Sequence, residues 1–435
     1  MTTADSCGLV YSGASAKSLD LYEQAQRQML CYIGDPLATI NQAIAESPAF
    51  VMAHYLQAYA NLVSTEASGL VVATKALASS ARIDCNERES MHRLAIKALV
   101  EGRYEGAQSH LQRLLIEFPR DILALQVSHL FDFYRGDVRN LRNRPARVMY
   151  SWSENDPHYH AVLGMYAFGL EECNLYAMAE EVGQKAIELN PQDGWAHHAV
   201  AHVYEMQGQQ QKGIDWMASR EPFWAPDSFL AIHNWWHRAL FHLDLDQIDI
   251  VLDIYDQHVR GTSSNIILDL VDASSLLWRL LLRNVDVGNR WLALAEAWAP
   301  FILDDNYAFN SFHAIMAFIG TQRWHGADEI IYTLTKRVAH DGANRAMTRD
   351  VGLPASMAFY AFGRGDYGKT VGLLMSVREI AHRFGGSHAQ RDIIELTLLE
   401  AALRDHQVSL VRALASERIS NKPASPLARR YMQLL

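Results

Sequence analysis

Three prolines constrain this 435-residue chain more than any other feature. Each closes an apolar run through an acid-containing turn: QAIAESPAF (Pro48), RLLIEFPRD (Pro119) and KAIELNPQD (Pro191). They stand 71 and 72 residues apart. Proline lacks an amide hydrogen and its ring clashes with the carbonyl four residues back, so it ends a helix. A helix end recurring at so constant an interval requires a repeated structural unit.

The interval is close to twice the period of about 34 residues characteristic of tetratricopeptide helix pairs. The finer pattern agrees. Gly102, Tyr104, Ala107 and Leu114 precede Pro119, and Tyr176, Ala179 and Ala186 precede Pro191. Small residues let paired helices approach, and an aromatic ring fills the gap between neighbouring pairs. Strand-length alternation of β-branched residues is scarce, whereas Ala, Leu, Gln, Glu, Met and Arg recur at helical periods. The expected fold is all-α: a tetratricopeptide-like α-solenoid, a right-handed superhelix of antiparallel helix pairs. It is expected to run as one continuous array over residues 1–435, more regular over 34–226 and with divergent, degenerate repeats over 227–435. After Pro226 the Pro marker is lost, but helices are predicted at 229–242, 247–257, 266–283, 288–299, 308–319, 327–340, 354–362, 367–382, 388–403 and 408–418. Residues 425–435 are expected to cap the array or to contact a second copy, so a homodimer is possible.

With 49% hydrophobic and 20% charged residues the chain has ample material for a large core. A net charge of −10 and the lack of a large basic face argue against nucleic acid as a partner. The local exception, Arg135, Arg139, Arg142, Arg144 and Arg147, is read as pairing with nearby acids or capping helices, or else as gripping an anion or a second subunit. Cys7, Cys31, Cys85 and Cys173 are widely spaced, without a CxxC motif or a secretory leader, which points to the cytoplasm. No run of eighteen apolar residues exists, so no membrane span is expected.

Several segments resemble the tetratricopeptide repeat protein 38 family: HYHAVLGMYAFGLEE (158–172), WAHHAVAHVYEMQG (195–208), HNWWHRALFHL (233–243), DLVDASSLLWRL (269–280) and GGSHAQRDIIELTLLEAAL (385–403). The double Trp between two histidines is the most specific of these. The resemblance implies a tetratricopeptide-like helical array and carries no activity with it.

The residues that could carry chemistry lie on helical stripes. Trp195, His198, His202 and Glu205 fall within about 80° of one another at 100° per residue, and His233, Trp236 and His237 share a second face. Asp269 with Asp272, Asn310 with His313, and His388 with Arg391 and Asp392 form further polar stripes in apolar helices, costly to bury unless paired. Each has a plain structural reading: edge-of-core histidines bonded to carbonyls or carboxylates, a gap-filling Trp, and inter-helix ion pairs. The functional reading makes His202, Glu205, His233, His237, Asp272 and His313 acid/base candidates, with Trp195, His198, Trp236, Asp269, Asn310, His388, Arg391 and Asp392 as ligand-binding candidates. No metal ligand is assigned, because the glutamate of HExxH is missing and histidine pairs on separate helices define no tetrahedral site by sequence alone. No cofactor is expected either. The motifs GxSxG, GxxxxGK[ST] and the EF-hand loop are absent.

Two functions follow. In the first, the concave surface forms a His/Trp/Asp/Arg-lined pocket for a small polar ligand or peptide segment. In the second, the same pocket performs histidine/carboxylate acid–base or metal-assisted chemistry on a small molecule. Whether the chain is an enzyme stays open at this point.

Overall fold

A computed structural model describes residues 2–434. The chain is an all-α, tetratricopeptide-like α-solenoid whose consecutive helices pack as antiparallel pairs. It divides into two compact units. The first comprises residues up to Val200 together with Glu221–Ala231; the second comprises Ala201–Arg220 and residues from Ile232 onward.

In the first unit the proline turns do more than end helices. The carbonyl of Pro48 accepts the Nε2–H of His54 at 3.0 Å, and that of Pro191 accepts the Nε2–H of His197 at 2.9 Å, six residues ahead in both cases. At Pro119 the indole N–H of Trp152 takes that role at 3.1 Å. Each turn is therefore bound by a later side chain, which satisfies an orphan carbonyl at a helix end. Two residues after Pro119 and Pro191, Asp121 and Asp193 start the next helix, each accepting a backbone N–H at 2.9 Å, from Ala124 and Ala196. Small residues close the packing: a Cβ on Gly183 would lie 2.7 Å from Val200 Cγ2.

The polar lead before the first helix, Ala16–Cys31, holds a small antiparallel hairpin, Thr2–Ala4 with Val10–Ser12, that the all-helical pattern did not indicate. Arg88 donates to the Val10 carbonyl at 3.0 Å, and Tyr11 is buried. Among the five arginines of the local basic run, Arg144 is buried in a bidentate pair with Asp132, in keeping with the ion-pair reading.

The second unit lacks the proline marker and uses glycine against aromatic rings. A Cβ on Gly213 would meet the Phe241 ring at 2.4 Å, one on Gly326 the Phe318 ring at 2.4 Å, and one on Gly320 the Trp291 ring at 2.3 Å. Three buried indoles find hydroxyl acceptors: Trp236 on Ser275 at 2.8 Å, Trp298 on Ser274 at 2.8 Å, and Trp278 on Thr397 at 3.0 Å. Such N–H groups need a partner when taken from water. The predicted 247–257 helix is α-helical over Ile248–Ile254 and continues as a π-turn, Tyr255–Val259. The last predicted helix residues of 367–382 form a 3₁₀ stretch, Arg378–Phe384. Pro426–Gln433 is helical and packs back onto the unit, burying Leu427 and Tyr431, with Tyr431 donating to Glu400 at 3.1 Å.

Candidate functional site

Two helices set the site. Glycine at the start of Gly194–Met206 follows the Asp193 cap, and the helix carries His202 and Glu205 near its end. Ala231–Asp244 carries His233, Trp236 and His237. His202, Glu205, His233, Trp236 and His237 all belong to the second unit.

The imidazoles of His202 and His237 are fully buried and their centroids are 4.3 Å apart. His233 packs edge-on to His237 at 4.8 Å and stacks on the Trp236 indole at 5.2 Å. His233 and His237 are each oriented by a carboxylate from a different helix. His237 donates its Nδ1–H to Glu205 at 2.9 Å. His233 donates its Nδ1–H to Asp272, on Ile267–Leu282, at 3.0 and 2.9 Å. Burial, followed by the positive charge on neighbouring groups, holds His202 and His237 well below the ordinary imidazole range, so both rings are neutral at pH 7. Burial likewise pushes the Glu205 carboxyl up, against the pull of Lys422 and Arg279.

Next to this cluster lies a cleft with a cavity volume of about 40 Å³, bordered by Glu205, Arg279, Asp392, Arg418 and Lys422. A water occupies about 10–15 Å³ on this measure, so the cleft holds roughly three waters or one small functional group. Including Arg283 and Asp244, its walls carry four cations and three carboxylates. Arg279 is buried, donates to the carbonyls of Ser275 and Ala389 at 3.1 and 2.8 Å, and lies 5.3 Å from the centre of the Trp236 ring. Arg418 grips Asp392 bidentately at 2.5 and 2.9 Å, and although burial pushes that carboxyl up, Arg418 and Lys422 hold it below the usual carboxylate range.

Other expected site residues sit elsewhere. Asp269 accepts the Ser264 hydroxyl at 2.6 Å and is pushed up to about 6, chiefly by burial. His313 is buried among Phe309 and Phe312 and donates its Nδ1–H to the Phe309 carbonyl of its own helix at 2.8 Å. Asn310 is buried one turn before it. Arg391 reaches the Gly386 carbonyl and lies 3.3 Å from His388 Nδ1. Trp195 and His198 belong to the first unit, where Trp195 stacks on Tyr32 at 5.5 Å and His198 on Phe168 at 5.2 Å. Arg279, Arg418 and Lys422 were not singled out from sequence. Only Arg279 gave a signal, a lone charge inside the apolar run LLWRLLL.

Helical repeats enclosing a buried histidine–carboxylate cluster define a tetratricopeptide-like repeat protein. A family model described as Tetratricopeptide repeat matches residues 182–215, a stretch that includes His202 and Glu205. Among solved structures, the chain is similar to the human IFIT1 dimer with PPP-AAAA, at 12% identity over 99% of this chain and 95% of that one, with a TM-score of 0.41. It is also similar to yeast Tom70, at 12% identity over 96% of each chain and a TM-score of 0.37. A third similarity is to Cut9–Hcn1 of the APC/C, at 13% identity over 80% of this chain and 63% of that one, with a TM-score of 0.38. No helix among the described residues is long and apolar enough to cross a membrane.

Proposed function

We propose that this chain is a member of the tetratricopeptide repeat protein 38 family whose second unit binds a small anionic ligand in the cleft beside the histidine cluster. The observation that carries this reading is the position of Glu205. It lines the cleft and accepts the His237 proton at 2.9 Å, so a ligand group in the cleft couples to the histidines through one carboxylate. The walls favour an anion: they carry one cation more than carboxylates, with Lys422 and Arg279 beside Glu205. A cavity of about 40 Å³ suits a carboxylate or phosphate group rather than an extended peptide. Family membership rests on the resembling segments themselves, two of which are joined by the buried 2.8 Å hydrogen bond from Trp236 to Ser275. A single continuous array in a reducing cytoplasm is part of the same reading.

A second reading, enzymatic acid–base chemistry, is favoured by the His233–Asp272 and His237–Glu205 pairs, each a base with its tautomer fixed by a carboxylate. Thermal-shift measurements with small carboxylates, phosphates and unrelated peptides test the binding function. Small anions are expected to raise the melting temperature of the parent chain and not that of Lys422→Met. Stabilisation by peptides alone, or equal stabilisation of both chains, would overturn it.

A further inference from the structure

We propose that His202, His233 and His237 bind one divalent transition-metal ion of the zinc class. One ring nitrogen from each lies within 4.8 Å of the others. Tetrahedral Zn–N bonds of about 2.0–2.1 Å place ligand nitrogens about 3.3 Å apart, so side-chain rotations moving nitrogens by about 1.5 Å complete the site.

The tautomers point the same way. An ionised carboxylate only accepts hydrogen bonds, so the Nδ1 atoms of His237 and His233, bonded to Glu205 and Asp272, carry the hydrogens. The lone pair of each ring is then on Nε2. Carboxylates bonded to the outer nitrogen are the arrangement that fixes metal-ligating histidines and raises their basicity. His233 and His237 stand four apart, hence on one helical face, and His202 enters from the Gly194–Met206 helix. Neutral imidazoles do not offset the ion's charge. Glu205 and Asp272 supply that compensation against the nearby cations Arg279 and Lys422, and the site does not depend on whether the adjoining cleft takes an anion.

The untagged chain, stripped with chelator, is titrated with Co²⁺ alone and then with Zn²⁺. One equivalent of Co²⁺ is expected, with the strong visible absorption of a tetrahedral ion, displaced by Zn²⁺. His202→Gln and His237→Gln should abolish that absorption. Asp272→Asn, which keeps all three imidazoles, should weaken binding about 10–100-fold, and His313→Gln should bind as the parent does. A parent chain that takes up no ion, or a His237→Gln chain that binds as tightly, overturns the site. Should the buried variants fail to fold, unchanged affinity in Asp272→Asn overturns it instead. Metal uptake without any small-anion stabilisation would remove the cleft function and leave this site standing.

Discussion

His160 donates its Nδ1–H to Asp193 at 2.7 Å across 33 residues of sequence. The same spacing separates Arg88 from Asp121, 2.6 Å apart, where His92 adds a second contact at 2.9 Å. A capping aspartate thus reaches back to a cationic or imidazole side chain in the preceding helical pair, twice, in step with the proline turns. Breaking a buried charge pair costs about 3–5 kcal/mol, whereas losing a hydrogen bond from an imidazole to a carboxylate costs about 1.5–3 kcal/mol, and both variants lose a helix cap. Urea denaturation should therefore show Asp121→Ala more destabilised than Asp193→Ala. The reverse order would mean that Arg88 contributes little.

Acid should weaken both units through neutral buried histidines. Burial pushes His129 in the first unit down to about 3, and it pushes His313 in the second to about 3 despite the opposing bond to the Phe309 carbonyl. The unfolded rings titrate near 6.5. Below that pH the unfolded chain takes up protons the native chain refuses, so stability falls as pH drops from about 6.5 towards 3. The limiting slope is about 1.4 kcal/mol per pH unit for each ring. Carboxylates raised by burial, such as Asp269, act in the opposite direction, so the comparison is made between variants. His129→Gln and His313→Gln should each lose less stability between pH 7 and pH 5 than the parent in denaturant titrations.

Ser275→Ala leaves the buried Trp236 N–H without its acceptor. A loss of about 1–3 kcal/mol is expected. Trp236→Phe should cost less in the Ser275→Ala background than in the parent chain, a coupling that a double-mutant cycle measures directly. Strict additivity would mean the bond contributes nothing.

Gly213→Ala places a methyl 2.4 Å from the Phe241 ring. Overpacking of this kind costs about 1–3 kcal/mol even though alanine is the better helix former. Gly372, whose Cβ would meet nothing within 4 Å, is the control, and Gly372→Ala should be neutral or stabilising. Equal melting temperatures for the two variants would show that the Phe241 ring yields freely.

Much of the fold was legible because proline and helical periodicity act locally. The predicted 266–283, 308–319 and 388–403 helices are Ile267–Leu282, Ala308–Gly320 and His388–Arg404. The polar stripe of His202 with Glu205, and that of His233 with His237, were also legible, since side chains three or four apart share a face whatever the helix packs against. What faces them was not. That Glu205 meets His237 while Asp272 meets His233 depends on the rotation and rise of one helix against another, which no spacing within a single helix fixes. The same limit hid Lys422, which reaches the cleft from beyond the end of Val408–Asn421. Asn310 and His313 looked like a polar stripe, but His313 is satisfied by a carbonyl of its own helix, a solution invisible to a count of polar residues.

The glycine-to-ring contacts of the second unit bear on how such a chain can diverge. At Gly213 and Phe241, at Gly326 and Phe318, and at Gly320 and Trp291, neither partner is free to drift alone. A methyl on the glycine is excluded while the ring stays, and loss of the ring leaves a hollow that glycine cannot fill. Neutral evolution can pass through these pairs only by compensated double steps, so descendants of this sequence should show them changing together, long after the proline turns that mark the first half have worn away.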